Sequence, residues 1–188
     1  MWLLVAGLVV FLGIHLVPAI PILRRGLVSR LGERRYKGLF SLASAAGLAL
    51  IIAGYAHAPT GVRVFSPSAA AIAVAPVAIT LAFILFAAAN MRGYLRHTLQ
   101  HPMLIGLAIW SAVHLLANGD LRGTVLFGAF LGFATLDLAS AINRQAVKAF
   151  DPSFKFDIMA VFGGLVAAVT VMALHRFLFG VPVAAFGA

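Results

Sequence analysis

The chain alternates long apolar runs with short segments that carry most of its prolines and charges. Each run approaches the roughly 20 apolar residues that an α-helix needs to cross about 30 Å of hydrocarbon. The polar breaks between the runs are too short to form a soluble domain. The pattern therefore predicts one all-α membrane domain over residues 1–188, a six-span transmembrane helical bundle. The predicted spans cover about 2–23, 39–57, 68–91, 102–117, 121–142 and 157–179.

Prolines and glycines mark the breaks and contacts of these spans. Pro18 and Pro21 kink or end the first span, because proline lacks the amide hydrogen that a continuing helix needs. Residues 24–37 follow as the most basic loop. An Asn-Gly-Asp sequence at 118–120 predicts a tight turn between the fourth and fifth spans. A GxxxG motif at 128–132 favours close helix packing within the fifth span.

The charges predict the orientation of the bundle. The 14 Lys and Arg residues and the 5 Asp and Glu residues give a formal net charge of +9. If the N-terminus lies outside, Arg63, Arg122 and Arg176 fall outside and the other 11 basic residues fall inside. This asymmetry follows the positive-inside rule and predicts both termini outside a bacterial inner (cytoplasmic) membrane. Attraction to anionic lipid explains the charge, so no nucleic-acid partner is expected. Because basic residues follow the first span, we expect it to be retained rather than cleaved as a signal peptide.

The chain has six histidines and no cysteine. The lack of cysteine excludes disulfides, zinc-thiolate sites and thiolate-ligated haem. His57 and His175 are predicted at outer span ends, where an interfacial histidine needs no special explanation. His97 and His101 have the i, i+4 spacing of a metal-binding pair, but Pro102 pushes the residue before it out of helical geometry. We therefore expect His101 to cap the fourth span, with Pro102 at its first position.

His15 and His114 differ from the other histidines because both fall within apolar runs. An ionisable side chain at membrane depth is unfavourable in lipid and is a functional candidate for that reason. His114 shares its helix face with Trp110 and Asn118 at helical spacing. Two such histidines on different helices suggest bis-histidine ligation of a haem iron. Counting about 1.5 Å per residue separates them by roughly 10 Å in depth, so pairing of His15 with His101 stays open as an alternative.

Charged residues near the span ends complete the set of candidates. Arg24 and Arg96 could hold anionic groups such as the propionates of a haem. Asp137 lies in the inner half of the fifth span and is expected to pair with a basic residue of the inner side, Arg144 among them. Asp120 closes the predicted turn before the fifth span. Ordinary membrane anchoring explains the arginines equally well.

Two segments resemble the NnrU family. Residues 13–44 are GIHLVPAIPILRRGLVSRLGERRYKGLFSLAS, and residues 95–120 are LRHTLQHPMLIGLAIWSAVHLLANGD. The resemblance covers nearly the whole chain, and the family is similar to 15-cis-ζ-carotene isomerase, an integral membrane protein with haem b. It implies His15 and His114 as the iron ligands, with His101 as the additional histidine of an HP-x(11)-H motif.

What the resemblance implies about activity is less specific. NnrU-like proteins are associated with denitrification and nitric oxide metabolism. The likeness to the isomerase implies redox-dependent cis–trans isomerisation of a carotenoid or another isoprenoid, which is an analogy at the level of the fold. A third alternative is an accessory membrane protein that helps to assemble a reductase. Expected partners are membrane lipid, an apolar isoprenoid ligand and a redox partner, and whether the protein is an enzyme stays open.

The HPMLIG segment also resembles the RHPxYxG segment of isoprenylcysteine and phospholipid methyltransferases, which bind S-adenosylmethionine. Gln100 replaces the arginine of that pattern, and Leu104 replaces the tyrosine. The paired glutamates of those enzymes are missing, because Glu33 is the only glutamate in the chain. A methyltransferase is therefore the least favoured alternative.

Overall fold

The structure is a computed structural model that describes residues 1–147, 149–180 and 183. Within these ranges the chain forms eight α-helices, and extended pairing is limited to one isolated bridge between Arg63 and Asp120. The helices are α1 (Trp2–Leu16), α2 (Pro21–Leu31), α3 (Glu33–His57), α4 (Ala69–Ala88), α5 (Tyr94–Leu99), α6 (Pro102–Asn118), α7 (Leu121–Asn143) and α8 (Phe154–Phe179). The predicted all-α class is confirmed.

The described helices have the length and surface of membrane spans. Among them, α3, α4, α7 and α8 are long and apolar enough to cross a membrane, and the bent pair α1 and α2 makes a fifth if it forms one broken span. Large apolar side chains face outwards, with Trp2 87% and Phe177 84% exposed. An outer surface of this kind suits lipid rather than water. The membrane character is confirmed, while the count of six spans and the outside termini stay predictions.

The first span, predicted over about 2–23, is wrong at its C-terminal end. α1 ends at Leu16, and α2 begins at Pro21 at an angle of 89° to it. Proline in the first turn of a helix is favourable, because its missing amide hydrogen has no partner there. The stretch 24–37, predicted as a loop, is mostly helical, because α2 runs to Leu31 and α3 starts at Glu33. Arginine and leucine are good helix formers, and a helix lying along the membrane surface keeps its charges hydrated.

The remaining predicted spans agree with the structure more closely. The third to sixth predicted spans match α4, α6, α7 and α8 to within three residues at each end. The second matches α3 at its C-terminal end but starts six residues late. The connector between α4 and α6 holds the short helix α5, which the pattern does not predict.

α1 and α3 form an antiparallel pair joined through glycines. A Cβ atom added at Gly7 would lie 2.6 Å from a backbone nitrogen of α3, and one at Gly47 would lie 2.8 Å from the nitrogen of Phe11. Gly54 lies against the backbone of Leu4. Small residues let backbones approach this closely in lipid, where burial of apolar surface does not drive association. We call α1, α2 and α3 the first helix group.

α4, α6, α7 and α8 form the second helix group, in which α4 lies between α6 and α8 and α6 lies between α4 and α7. Glycines again mediate two of these contacts. A Cβ atom added at Gly106 would lie 3.0 Å from the carbonyl oxygen of Ala82, and one at Gly164 would lie 2.7 Å from the nitrogen of Ile84. The two groups meet where α1 runs beside α7.

The GxxxG motif of α7 does not take part in this packing. In the described part of the chain, no atom lies within 4 Å of a Cβ added at Gly128 or at Gly132. The expectation that this motif packs closely is therefore wrong within one chain. The residues of α7 that pack towards α1 are larger, and Phe130 is one of them.

The predicted turn between α6 and α7 is confirmed. Gly119 has a φ of 70°, a conformation that strongly favours glycine. The Asp120 side chain caps α7 by accepting a hydrogen bond of 2.9 Å from the amide of Gly123. The loop between α3 and α4 packs on this turn, because the amide of Val64 donates to the Gly119 carbonyl at 2.8 Å. These hydrogen bonds hold the turn between α6 and α7 in place against the loop between α3 and α4.

The opposite end of the bundle carries most of the positive charge, and we call it the basic end. It is formed by α2, α5, the starts of α3, α6 and α8, and the ends of α4 and α7. Its described basic residues are Arg24, Arg25, Arg30, Arg34, Arg35, Lys37, Arg92, Arg96, Arg144 and Lys155. Lys148, which was assigned to the same side from the sequence, lies outside the described residues.

Candidate functional site

Aromatic rings fill the contact between the two helix groups. Phe11 of α1 lies 6.0 Å from Phe130 of α7, measured between ring centroids. Phe130 in turn lies 5.7 Å from Trp110 of α6, and Trp110 lies 5.1 Å from Phe127. We call Phe11, Trp110, Phe127, Phe130 and Phe133 the aromatic seam. Side chains, rather than glycine backbone contacts, join the two groups here.

His15 lies at the first-group side of the aromatic seam, in the last turn of α1. Its ring centroid is 4.4 Å from that of Phe11, 5.1 Å from that of Phe40 on α3, and 6.4 Å from that of Phe133. Its Nδ1 atom donates a hydrogen bond of 2.6 Å to the carbonyl oxygen of Phe11. The imidazole is therefore half-buried among three phenylalanine rings.

His114 lies at the second-group side of the seam, on α6. Its ring centroid is 5.0 Å from that of Trp110 and 4.8 Å from that of Phe127. Its Nδ1 atom donates a hydrogen bond of 2.8 Å to the carbonyl oxygen of Trp110. The two candidate histidines thus face the seam from opposite helix groups, and Phe11, Phe130 and Trp110 connect them through successive ring contacts.

In both histidines the backbone contact determines which nitrogen could bind a metal. A carbonyl oxygen only accepts hydrogen bonds, so each Nδ1 carries a proton, and in the neutral ring Nε2 is the nitrogen that keeps its lone pair. Metal-bound imidazoles commonly hold their other ring nitrogen in this way. His57 makes the same bond to the Ala53 carbonyl at 2.8 Å while exposed, so the bond alone does not mark a ligand. The aromatic surroundings distinguish His15 and His114.

The depths of the two histidines can be compared along α7. His15 lies beside Phe133 and His114 lies beside Phe127. Six residues of helix rise about 9 Å, which agrees with the depth difference expected from the sequence. In the described residues the two imidazoles contact different neighbours rather than each other. Side chains of the seam would have to rotate for both nitrogens to reach one iron.

Two hydroxyl groups near His15 are buried without a partner in the described residues. They are Tyr36 Oη and Ser44 Oγ, which share one face of α3 with Phe40 at i, i+4, i+8 spacing. In the antiparallel register that places Gly47 beside Phe11, Ser44 lies level with the last turn of α1. A buried polar group without a protein partner is rare, and a bound water or ligand can satisfy it. The two imidazoles, the aromatic walls and the buried hydroxyls are chemically suited to a haem, provided that the seam rings rotate to admit it.

Arg24 lies on the His15 side of the molecule. Its guanidinium is 5.8 Å from the ring centroid of Tyr36, and its Nη2 atom forms an ion pair of 3.3 Å with Glu33. Tyr36 contacts Phe40 at 6.3 Å between ring centroids, and Phe40 contacts His15. The rings of Tyr36 and Phe40 thus lie between Arg24, the predicted propionate partner, and the candidate ligand His15.

The other predicted polar residues have local partners. Asn118 donates from Nδ2 to the carbonyl oxygen of His114 at 2.7 Å. Asp120, besides capping α7, pairs with Arg122 at 3.2 Å. Asp137 pairs with Arg144 at 3.6 Å, which was one of the partners expected from the sequence.

His101 and Arg96 lie away from the aromatic seam. His101 occupies the N-cap position of α6 with Pro102 following, as predicted, although its side chain makes no capping bond to the described residues. It stands 13 positions before His114, a rotation of about 220° around the helix. It therefore faces a different part of the bundle, which supports His114 over His101 as the partner of His15. α5 ends at Leu99, so His97 and His101 do not share a continuous helix, and the described residues contain no group of three or more metal-ligating side chains.

Sequence reasoning missed several of these features. The phenylalanines at 127, 130 and 133 recur every third residue, and that spacing could have indicated one aromatic face of α7. Asp157 was given no role, yet it is buried and accepts hydrogen bonds of 2.8 Å from the amides of Tyr94 and Leu95. No local pattern connects residues so distant in the chain. The burial of the Tyr36 and Ser44 hydroxyls depends on the register between α1 and α3, so no sequence pattern could predict it either.

Comparison with known proteins identifies the family. A family model described as NnrU protein matches residues 3–183. The chain belongs to the NnrU family. No curated protein and no solved structure gives a significant match. The resemblance noted in residues 13–44 and 95–120 is thus confirmed over nearly the whole chain.

Proposed function

We propose that this NnrU-family protein binds haem b in the aromatic seam, where His15 and His114 would hold the iron. The observation that carries the proposal is a pair of imidazoles, each held at Nδ1 by a backbone carbonyl oxygen, one on each side of the ring-filled contact between the helix groups in the described residues. The proposed role is redox chemistry or sensing linked to nitric oxide metabolism. That role follows from the association of the family rather than from the geometry.

The seam suits a flat apolar macrocycle for a physical reason. Rings that meet through side chains can rotate about their χ angles, whereas the glycine contacts within each group fix backbone against backbone. The two groups can therefore separate slightly without loss of their own packing. Aromatic walls also exclude water, which is one means by which a protein tunes a haem.

Each part of the site has a separate task when haem is bound. The iron supplies one-electron chemistry or the binding of a small gas molecule, which amino-acid side chains do not supply. His15 and His114 would hold the iron between the two helix groups. The hydroxyls of Tyr36 and Ser44 and the guanidinium of Arg24 would offer hydrogen bonds to the haem carboxylates.

The proposed topology places this site in a bacterial inner membrane with six spans and both termini outside. α6 has 17 residues, the lower limit for a transmembrane helix. It packs between α4 and α7, both long enough to span. α1 supplies the remaining span, and α2 continues it at 89° along the membrane surface. The basic end then faces the cytoplasm, where the positive-inside rule favours it and where a redox partner would bind.

The absorption spectrum of protein purified from haem-replete cells tests the proposal. Two histidine ligands predict a low-spin spectrum with sharp α and β bands after reduction. His15→Ala and His114→Ala should each give a high-spin spectrum or loss of haem, while the matched control His57→Ala should keep the low-spin spectrum. A colourless wild-type protein, or equal effects of all three substitutions, would contradict the proposal.

A fourth variant separates the two possible ligand pairs. His101→Ala should leave the low-spin spectrum unchanged if His114 is the partner of His15. If His101→Ala abolishes the spectrum and His114→Ala does not, the iron is held by the alternative pair. In the same preparation, isomerisation of a polyene that depends on the iron redox state would identify an isomerase. A colourless protein that copurifies with a reductase would instead indicate an accessory role.

A further inference from the structure

A second candidate site lies at the basic end, away from the aromatic seam. A half-open cavity of about 560 Å³ is lined by the end of α4, by α5, by the start of α6 and by the loop after α7. Its volume is in the range of about 300–1,000 Å³ typical of small-molecule sites. Among the described residues, its polar lining is Arg96, His97, Gln100 and His101.

His101 provides the first indication of a ligand. Its Nε2 atom is buried and has no hydrogen-bond partner among the described residues. Removing an imidazole nitrogen from water without replacing its hydrogen bond is unfavourable. Because the residue lines the cavity, a molecule bound there could supply the missing partner.

Arg96 provides the second indication. Its guanidinium lies 5.2 Å from the ring centroid of Phe150, and no carboxylate in the described part of the chain pairs with it. Of the acids at this end, Asp157 accepts the amides that begin α5 and Asp137 pairs with Arg144. Asp151 follows the lining residue Phe150 in the chain but does not line the cavity. The described lining therefore carries the positive charge of Arg96 and no carboxylate. A guanidinium held against a ring is well placed to bind a planar or tetrahedral oxyanion.

The backbone around the cavity is strained. In the described ranges, the only non-glycine residues with a positive φ are Gln100 at 61° and Gln145 at 48°. Gln100 lines the cavity, and Gln145 directly precedes the lining residue Ala146. Such conformations are uncommon for residues with a side chain and concentrate at ligand sites.

The rest of the lining is apolar. Pro102, Met103, Leu104 and Phe150 contribute to it. A small inorganic anion would leave most of this surface without a contact. A molecule with both a charged group and a hydrocarbon part would contact the arginine and imidazoles at one end and the apolar side chains at the other.

We propose that this cavity binds the phosphate group of an anionic amphiphile, with Arg96 and His101 as its main ligands. His97 and Gln100 supply further hydrogen-bond donors at the open side. The phosphate lies at the level of the basic end, where lipid headgroups and phosphorylated small molecules from the aqueous phase both have access. The site is separate from His15 and His114 and does not depend on haem.

Binding to the full-length protein in neutral detergent micelles tests this site. The probes are dioleoyl phosphatidic acid, zwitterionic dioleoyl phosphatidylcholine and inorganic phosphate, with affinity measured by native mass spectrometry and by the shift in melting temperature. Phosphatidic acid should bind with a definite 1:1 stoichiometry, and phosphatidylcholine should bind more weakly. Inorganic phosphate that competes for the site indicates a soluble phosphate source, and failure to compete indicates a lipid. Absence of binding by both phosphatidic acid and inorganic phosphate overturns the proposal.

Substitutions locate the binding. Arg96→Gln should weaken binding of phosphatidic acid by about tenfold or more, because it removes charge-assisted hydrogen bonds. The matched control is Arg30→Gln, which removes the same charge from exposed α2 at the basic end. Equal losses of phosphatidic acid affinity in both variants would show that binding is general electrostatic attraction, and they would overturn the proposal.

Two further variants keep Arg96 but remove either the imidazole nitrogen of His101 or the space in the cavity. His101→Phe keeps the ring but deletes Nε2, and Ala146→Trp fills the cavity. Each should weaken binding of phosphatidic acid, and Ala146→Trp should leave the haem spectrum unchanged. Normal binding in both variants would contradict the assignment, and His15→Ala should have no effect on this binding.

Discussion

The two sides of α1 contact the rest of the molecule in different ways. Towards α3, Gly7, Gly47 and Gly54 bring backbone against backbone. Towards α7, the contact consists of rings, with Phe11 against Phe130 and His15 against Phe133. At the end of α1 the candidate ligand His15 contacts rings of both neighbours, Phe40 of α3 and Phe133 of α7.

The difference separates permanent structure from adaptable structure. In lipid, helices associate through close packing, so a glycine contact is lost abruptly when a side chain is added. A contact between rings can be adjusted, because each ring has alternative rotamers. We infer that α1 and α3 move as a unit, while the distance between that unit and α7 can change when a cofactor binds.

The largest effect is expected from Gly54→Leu. The new side chain would meet the backbone of Leu4, which cannot rotate away, so the free energy of unfolding should fall by about 3 kcal/mol or more. Unfolding in mixed micelles with increasing dodecyl sulfate, followed by circular dichroism, measures this loss.

The matched control for this substitution is Gly132→Ala. No described atom lies within 4 Å of the position where its Cβ would be. Alanine is the better helix former by roughly 0.5–1 kcal/mol, so this variant should be as stable as the wild type or slightly more stable. A loss comparable to that of Gly54→Leu would mean that the GxxxG face is packed in the native assembly.

A smaller effect is expected from Phe130→Ala, which empties the centre of the aromatic seam. Phe130 is partly buried, so the haem-free protein should lose about 2 kcal/mol, less than a fully buried phenylalanine. Haem affinity should stay the same or rise, because this ring no longer has to move aside. Haem titration of the wild type and the variant makes the comparison, and a large loss of affinity would show that Phe130 supports the cofactor directly.

The smallest effect is expected from Ser44→Ala. The Ser44 hydroxyl is buried without a partner among the described residues, so its removal should stabilise the haem-free protein by about 0.5 kcal/mol. If that hydroxyl binds the cofactor, haem affinity should fall several-fold in the same variant. Ser41→Ala on the exposed side of α3 controls for the gain in helix propensity. The same haem affinity in both variants would remove Ser44 from the site.

Sequence patterns were sufficient where the signal is local. Pro102 fixes the start of α6, and the Asn-Gly-Asp turn fixes the boundary between α6 and α7, because each acts on the backbone of its own segment. The candidate ligands were also found locally, as histidines within apolar runs. The perpendicular helix α2 was missed because its many charges were interpreted as a loop, although a surface helix accommodates them equally well.

Features that depend on the register between helices could not be predicted. The facing of Ser44 towards the end of α1 and the ring contacts of Phe130 require the relative heights of neighbouring helices. The cavity beside His101 requires four separate segments to meet. The resemblance to the NnrU family supplied the pairing of His15 with His114, which depth along the sequence left open.

The bend between α1 and α2 has a consequence for the surrounding bilayer. α1 has 15 residues, a length of about 22 Å, which is shorter than a hydrocarbon layer of about 30 Å. Lipid compensates for such a mismatch by thinning locally. His15, in the last turn of α1, would then lie beneath a shallow dimple in the membrane, closer to water than its place in the chain suggests. In the proposed haem-bound protein, the shortest path between the iron and water would then pass His15 at the basic end.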